Sequence, residues 1–236
     1  MPEFILDHSK YIAVILGIAA GFFMMSGLFK KAGIKGIARK GVICVLFSGI
    51  GLSSVLLFAS FESLITGRGV SFGEVSVLGV YLFSPLGIYA LSKILKIKPS
   101  DLFDLYAVYV LPTLFLMRIN CLISGCCRGI TIGSHGLRFP VRELEMVFYI
   151  FMLGLFLAEG SFEKKKGIKL FAIPGIRFPI LMLSYGAFRF LLEFFRESPA
   201  KGVFHLAHLF AFITFFTGLA ISLEKMRSPA EKKHRK

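Results

Sequence analysis

Tyr185, Arg189 and Glu193 stand at i, i+4 and i+8 in one apolar stretch, with Arg196 three residues further on. On a helix they share a single stripe. A guanidinium placed there offers a planar fork to a phosphate or carboxylate. The carboxylate one turn later can hold that fork in place, and the phenol adds a hydrogen-bond donor. Such a stripe suits recognition and electrostatic stabilisation of an anion. A second group lies in RINCLISGCCRG, residues 118–129, where Arg118 precedes Cys121, Cys126 and Cys127. Gly125 and Gly129 permit a tight turn and a close approach of backbone to ligand. The thiols leave several readings open. They include a disulfide from Cys121 to one of the pair, a reactive thiol, loop packing, and a metal site completed by His135, His205 or His208. The spacing matches no standard zinc pattern, so no metal is expected. Cys44 reads as a small core residue.

These side chains need elements to carry them, and composition says which. Of 236 residues 56% are hydrophobic, and Phe occurs 27 times, more than a soluble core of this length would hide. A membrane-crossing helix needs about 20 mostly apolar residues with its backbone polar groups satisfied internally. Seven segments qualify, near 11–29, 41–61, 75–92, 102–117, 144–159, 179–195 and 204–223. The fifth and sixth are short and call for tilt or local thinning. The expectation is an all-α polytopic membrane protein with about seven transmembrane helices. Residues 1–225 would form a single bundle, and 226–236 a disordered basic cytoplasmic tail able to touch anionic lipid.

The chain carries 28 Lys and Arg against 14 Asp and Glu. In a soluble protein that excess would suggest nucleic acid, but here the bases cluster between apolar runs and no nucleic-acid partner is expected. Lys30, Lys31, Lys35, Arg39 and Lys40 form one group, Lys93, Lys96 and Lys98 a second. Lys164, Lys165, Lys166, Lys169 and Arg177 form a third, and Lys225, Arg227, Lys232, Lys233, Arg235 and Lys236 a fourth. All four fall on one side of seven alternating helices, which the positive-inside rule makes the cytoplasm. The N-terminus is then outside and the C-terminus cytoplasmic. Pro2, Glu3 and Asp7 replace the basic start of a cleavable signal peptide, so the first helix is expected to be retained.

Lys10, Arg68, Arg118, Arg128, Arg138, Arg142, Arg189, Arg196 and Lys201 break that rule, and most are Arg where the cytoplasmic groups are mostly Lys. Each either pairs with a neighbour among Glu62, Glu74, Glu143, Glu145 and Glu193, snorkels to headgroups, or joins others around a shared anion. Arg118 and Arg189 sit at helical depth, where an ionisable group is costly and by default functional.

YGAFRFLLEFFRES at 185–198 resembles the sixth-helix signature of prolipoprotein diacylglyceryl transferases, in which Tyr, Arg and Glu recur as Y-x-x-x-R-x-x-x-E-F-x-R. RINCLISGCCRG is similar to the family's G-R-x-G-N-F-x-N-G-E-x-x-G motif, more closely to its branch with G-C-C-x-G. GRGVSFGEVSVLGV at 67–80 resembles the loop and third-helix start, and LRFPVRELE at 137–145 the H-P-S-Q-L-Y-E segment. The likeness covers about residues 60–223. It also departs from the family. Asn120 and Cys121 replace the Gly and Asn after the Arg, Cys126 stands at the Glu position, and Gly73-Glu74 replaces the His-Gly-Gly. Only Pro140 and Glu145 survive clearly from H-P-S-Q-L-Y-E. The short loop between the fourth and fifth helices implies a reduced outer head and a divergent paralogue.

The resemblance implies transfer of a diacylglyceryl group from phosphatidylglycerol, or a related anionic phospholipid, to the lipobox cysteine thiol of a prolipoprotein, with release of glycerol phosphate. The setting would be the bacterial cytoplasmic (inner) membrane. It implies Arg118, Arg189 and Tyr185 as catalytic. Glu193, Arg196, Gly125, Gly129, Cys121, Cys126, Arg142 and Glu145 would bind substrate, and the chemistry requires no cofactor. The alternatives are a transferase of the same fold with a different acceptor, and a lipid-binding membrane protein without catalysis, since fold alone never fixes function. With no inverted repeat and no paired broken helices, a transporter fits less well.

Overall fold

Long apolar runs, broken mainly by Gly, Pro and basic clusters, fold here as helices. The computed structural model describes residues 3–66, 77–133, 136–166, 171, 173–197 and 206–234. The helices are α1 (Glu3–Met24), α2 (Ser26–Lys31), α3 (Ile37–Thr66), α4 (Leu78–Leu95), α5 (Pro99–Ser124), α6 (Val141–Lys166), α7 (Arg177–Glu193) and α8 (Leu206–His234). The fold is all-helical as expected, apart from one short antiparallel pair, β1 (Thr131–Ile132) and β2 (Leu137–Arg138). Arg68, Gly73, Glu74, His135, Lys201 and His205 lie outside the described residues.

Four stretches, Ile37–Ile65, Leu78–Leu95, Pro99–Ser124 and Leu206–Arg227, are long and apolar enough to cross a membrane, and Ile12–Met24 is a shorter apolar helix. α7 falls below that standard because it has 17 residues and carries Arg177, Arg189 and Glu193. The chain is a multi-pass membrane protein. Its outward faces suit lipid: Val45, Leu52, Leu86, Phe151 and Leu191 are 62–71% exposed. Its interior is aromatic, with Phe47, Phe58, Tyr81, Tyr106, Tyr149, Phe178 and Tyr185 fully buried.

Small residues set the helix spacing. A Cβ on Gly186 would meet the backbone of Ala211 and Phe215, and one on Gly218 would meet Pro179 and Leu183. α7 and α8 therefore run in backbone contact, the close approach that membrane helices use in place of a hydrophobic driving force. α7 is further fixed at its start. Asp104 of α5 accepts the backbone N–H groups of Gly175 at 2.8 Å and Arg177 at 3.0 Å, and pairs with the Arg177 guanidinium at 3.1 Å. Arg177 was expected to be a topogenic surface charge; it is buried and ties two helices together. Lys225 of α8 donates to the Pro174 carbonyl at 3.3 Å, so its side chain reaches this same end.

Two further boundaries differ from expectation. α5 runs to Ser124 rather than 117, because nothing breaks it before Gly125, which caps it in the left-handed region at φ 70°. Arg118 and Cys121 are therefore helical. α8 continues to His234 through the segment expected to be a disordered tail; the Ala-Glu-Lys-Lys run there favours helix.

Candidate functional site

At the end of the bundle opposite Asp104, the last turns of α5 and α7 meet the first turns of α6. Pro140 stands just before α6, and its carbonyl accepts the Leu144 N–H at 3.0 Å. One residue further on is Glu145, fully buried. An isolated carboxylate there would be strongly destabilising, and Glu145 is far from isolated. Arg118 grips it with two nitrogens, Nε at 2.8 Å from Oε2 and Nη2 at 2.9 Å from Oε1. Arg189 reaches the same Oε1 at 3.2 Å, and the Tyr185 hydroxyl lies 3.4 Å from it. Arg189 also pairs with Glu193 at 2.6 Å, one helical turn on, and Arg196 approaches Glu193 at 3.9 Å. Two guanidiniums from different helices thus share one carboxylate while each keeps N–H groups for a further acceptor.

Aromatic rings wall this centre. Tyr185 stacks on Tyr81 with centroids 4.4 Å apart and lies 6.0 Å from Tyr149 in near-parallel planes. The Tyr81 hydroxyl is buried without a hydrogen-bond partner among the described residues. No motif or spacing pointed to Tyr81 or Tyr149, since each stands in an ordinary apolar run.

Beyond the end of α5 the chain turns back through Gly125 and through Cys127, itself at φ 56°. Arg142 of α6 donates to the carbonyls of Cys121 at 3.3 Å and Cys126 at 3.4 Å, and Arg128 closes the turn onto the Gly125 carbonyl at 2.7 Å. The next residues are stitched to the end of α7. The Ile130 N–H donates to Phe195 and the Glu197 N–H to Arg128, each at 2.9 Å, with Gly129 bridging to Arg196. A Cβ on Gly129 would collide with the Phe139 carbonyl. Its glycine therefore answers to packing against the hairpin.

The loop brings three thiols together. The Sγ atoms of Cys121, Cys126 and Cys127 lie within 4.8 Å of one another, and all three are free thiols. Arg196 donates to Cys127 Sγ at 3.0 Å, Arg118 approaches Cys121 Sγ at 3.9 Å, and the Ser124 hydroxyl donates to Cys126 Sγ at 3.3 Å. Donation from the Cys121 thiol, with the nearby Arg196 and Arg118 guanidiniums, holds the Cys127 thiol well below the ordinary thiol range. His208 stands apart from this group, packed against the rings of Phe190 and Phe194.

Nearly every side chain singled out in the sequence meets here. Arg118, Arg189, Tyr185, Glu193 and Glu145 form one buried network. Arg196, Cys121 and Cys127 adjoin it, Arg142 and Gly125 shape the loop, and Cys126 lies on its exposed side. Glu145, expected among several residues around a substrate, is instead the hub.

Fold and site together define a multi-pass helical membrane protein with a buried guanidinium–carboxylate centre at one end of its bundle. Residues 10–223 match the prolipoprotein diacylglyceryl transferase family, and the chain belongs to that family. It is similar to phosphatidylglycerol–prolipoprotein diacylglyceryl transferase 2 of Clostridium perfringens, 32% identical over 158 residues. That match covers 59% of this chain and 57% of the relative, so the likeness spans little more than half of either.

Proposed function

We propose that this protein transfers a diacylglyceryl group from phosphatidylglycerol to the lipobox cysteine thiol of prolipoproteins, releasing glycerol phosphate, in the bacterial cytoplasmic membrane. The observation that carries this is the convergence of Arg118 and Arg189 on the single buried carboxylate of Glu145. Glu145 and Glu193 hold the two forks at fixed positions. The remaining N–H groups grip the phosphodiester and stay with its oxygens as negative charge moves onto the departing glycerol phosphate. Donors aimed at developing charge in a dry site are worth far more than in water. Tyr185, locked between rings, donates from the same side.

The seven long helices act as seven spans, with the N-terminus outside and the C-terminus cytoplasmic. Lys93 stands in the last turn of α4, Lys96 and Lys98 lie between α4 and α5, and Lys225 is on α8, all at the end opposite the site. The positive-inside rule then gives the site an extracytoplasmic address.

A transferase of the same fold with a different acceptor is the second reading, favoured by Cys126 at the position where the family motif has Glu. One experiment separates the readings: purified protein is incubated with phosphatidylglycerol and a lipobox peptide, and peptide and lipids are followed by mass spectrometry. A diacylglyceryl mass gain on the peptide cysteine supports the main reading. Glycerol phosphate released without peptide modification supports the other acceptor. Neither product would leave a lipid-binding protein.

A further inference from the structure

We propose that Cys121, Cys126 and Cys127 form a three-thiolate zinc site with an open fourth position, where the acceptor thiol is bound and activated. The inference deepens the transferase reading above and rests on it for the identity of that acceptor.

Tetrahedral zinc with Zn–S bonds near 2.3 Å sets its sulfurs about 3.8 Å apart. The three Sγ atoms already lie within 4.8 Å of one another, so closure on an ion needs side-chain movements of about an ångström. The backbone that carries them is fixed from outside, by Arg142 on two of the cysteine carbonyls and by the left-handed turns at Gly125 and Cys127. Thiolates are soft ligands that select zinc over harder cations. A trio alone would leave net negative charge, and the outer shell answers it: Arg196 donates to Cys127 Sγ and Arg118 approaches Cys121 Sγ. Outer hydrogen bonds of this kind tune a metal's ligands. A disulfide between any two of the sulfurs would strand the third, whereas a metal uses all of them. Three protein ligands with a vacant position is the arrangement of zinc sites that work on a substrate.

The placement suits alkylation of sulfur. Arg118 touches Glu145 on one side and Cys121 on the other, so headgroup and acceptor sulfur sit beside the same guanidinium. The acceptor thiol loses its proton on binding zinc. Its sulfur then forms a bond to the glyceryl carbon that carries the phosphate ester, and the carbon–oxygen bond to phosphate breaks. Glycerol phosphate leaves with that electron pair and takes up the proton.

The test counts metal and transfer separately, on the full-length protein in detergent. Elemental analysis is expected to find one zinc per chain, and Cd²⁺ substitution to give a thiolate charge-transfer absorbance. Cys126 is exposed, so Cys126→Ser should fold normally while losing zinc affinity by more than the roughly 10–100-fold that an outer hydrogen bond costs. Arg189→Lys should keep its zinc and lose transfer. Metal-free protein with three alkylatable thiols, a native disulfide among them, or undiminished transfer after zinc removal would each overturn the proposal. Zinc bound at one per chain with no transfer to any lipobox peptide would leave the metal site standing and overturn its assigned role together with the transferase reading.

Discussion

Glu145→Gln is the sharpest probe of the buried network, because it alters one charge and almost no volume. An amide oxygen at the Oε1 position can keep the contacts to Arg118 at 2.9 Å, Arg189 at 3.2 Å and Tyr185 at 3.4 Å. The amide nitrogen then faces Arg118 Nε, where an ion pair of 2.8 Å stood, and two donors meet with no acceptor between them. Arg118 and Arg189 also lose their shared counter-charge while remaining 5% and 4% exposed. Breaking a buried pair by removing one partner costs about 3–5 kcal/mol. For a chain of this size each kcal/mol moves Tm by roughly 2–4 °C, so the variant should melt on the order of 10 °C below the parent. If the site is built for an anionic headgroup, a phosphodiester supplies the missing negative charge. Adding phosphatidylglycerol to delipidated protein should then raise the variant's Tm by more than the parent's. The assay is thermal unfolding in detergent with and without phosphatidylglycerol, with a neutral diacylglycerol as control. A variant melting within 2 °C of the parent, or an equal lipid shift in both proteins, would refute the shared-carboxylate reasoning.

Arg189→Lys should lower turnover on the order of a hundredfold with the protein still monodisperse, since one ammonium cannot span Glu145 and Glu193 as the fork does; Arg118→Lys should behave alike, and parental turnover in both would sink the clamp. Tyr81→Phe should raise Tm if its buried hydroxyl is idle, an unsatisfied group costing about 1–3 kcal/mol; a fall in turnover instead would show that the hydroxyl donates to bound lipid. Asp104→Asn should destabilise the protein by about 3–5 kcal/mol by removing the buried charge that faces Arg177, while phosphatidylglycerol affinity measured on the folded fraction stays unchanged. Cysteine-accessibility labelling should place 30–40 and 93–100 in the cytoplasm and 118–142 outside; labelling 118–142 from the cytoplasm would overturn both orientation and site address.

What the sequence made legible was local. Tyr185, Arg189 and Glu193 announced themselves because helical periodicity puts them on one stripe, and the Arg189–Glu193 pair is such an i, i+4 contact. The centrality of Glu145 was not legible, because its partners lie 27 and 44 residues away and no spacing rule connects them. Arg177 looked like a topogenic charge for the same reason: its partner Asp104 is on another helix. The thiol cluster depended on two left-handed backbone positions. Gly125 allowed the first, but nothing marked Cys127 as the second. Lengthening of α5 to Ser124 was hidden by polarity, since Arg118 and Asn120 look like the end of a membrane segment until their partners are known.

The charges in the network also say how a headgroup gets in. In the buried centre, Arg118 and Arg189 are balanced by Glu145 and Glu193, so the cluster is tolerable at helical depth. Two more cations sit at the rim: the side chains of Arg196 and Arg142 are 25% and 19% exposed and lie 3.9 Å from Glu193 and Glu143, and Arg196 also donates to Cys127 Sγ. Rim cations with long, weak pairs attract an anion at little cost when it is absent. On the proposed transferase reading, an entering phosphodiester would meet Arg196 and Arg142 first, and would reach the inner forks by sharing them with the two carboxylates. Arg196 and Arg142 are also the residues that hold Cys127 Sγ and the cysteine carbonyls. On that reading, an anion that drew either guanidinium inward would loosen the thiol loop and so couple headgroup binding to the position of the three sulfurs.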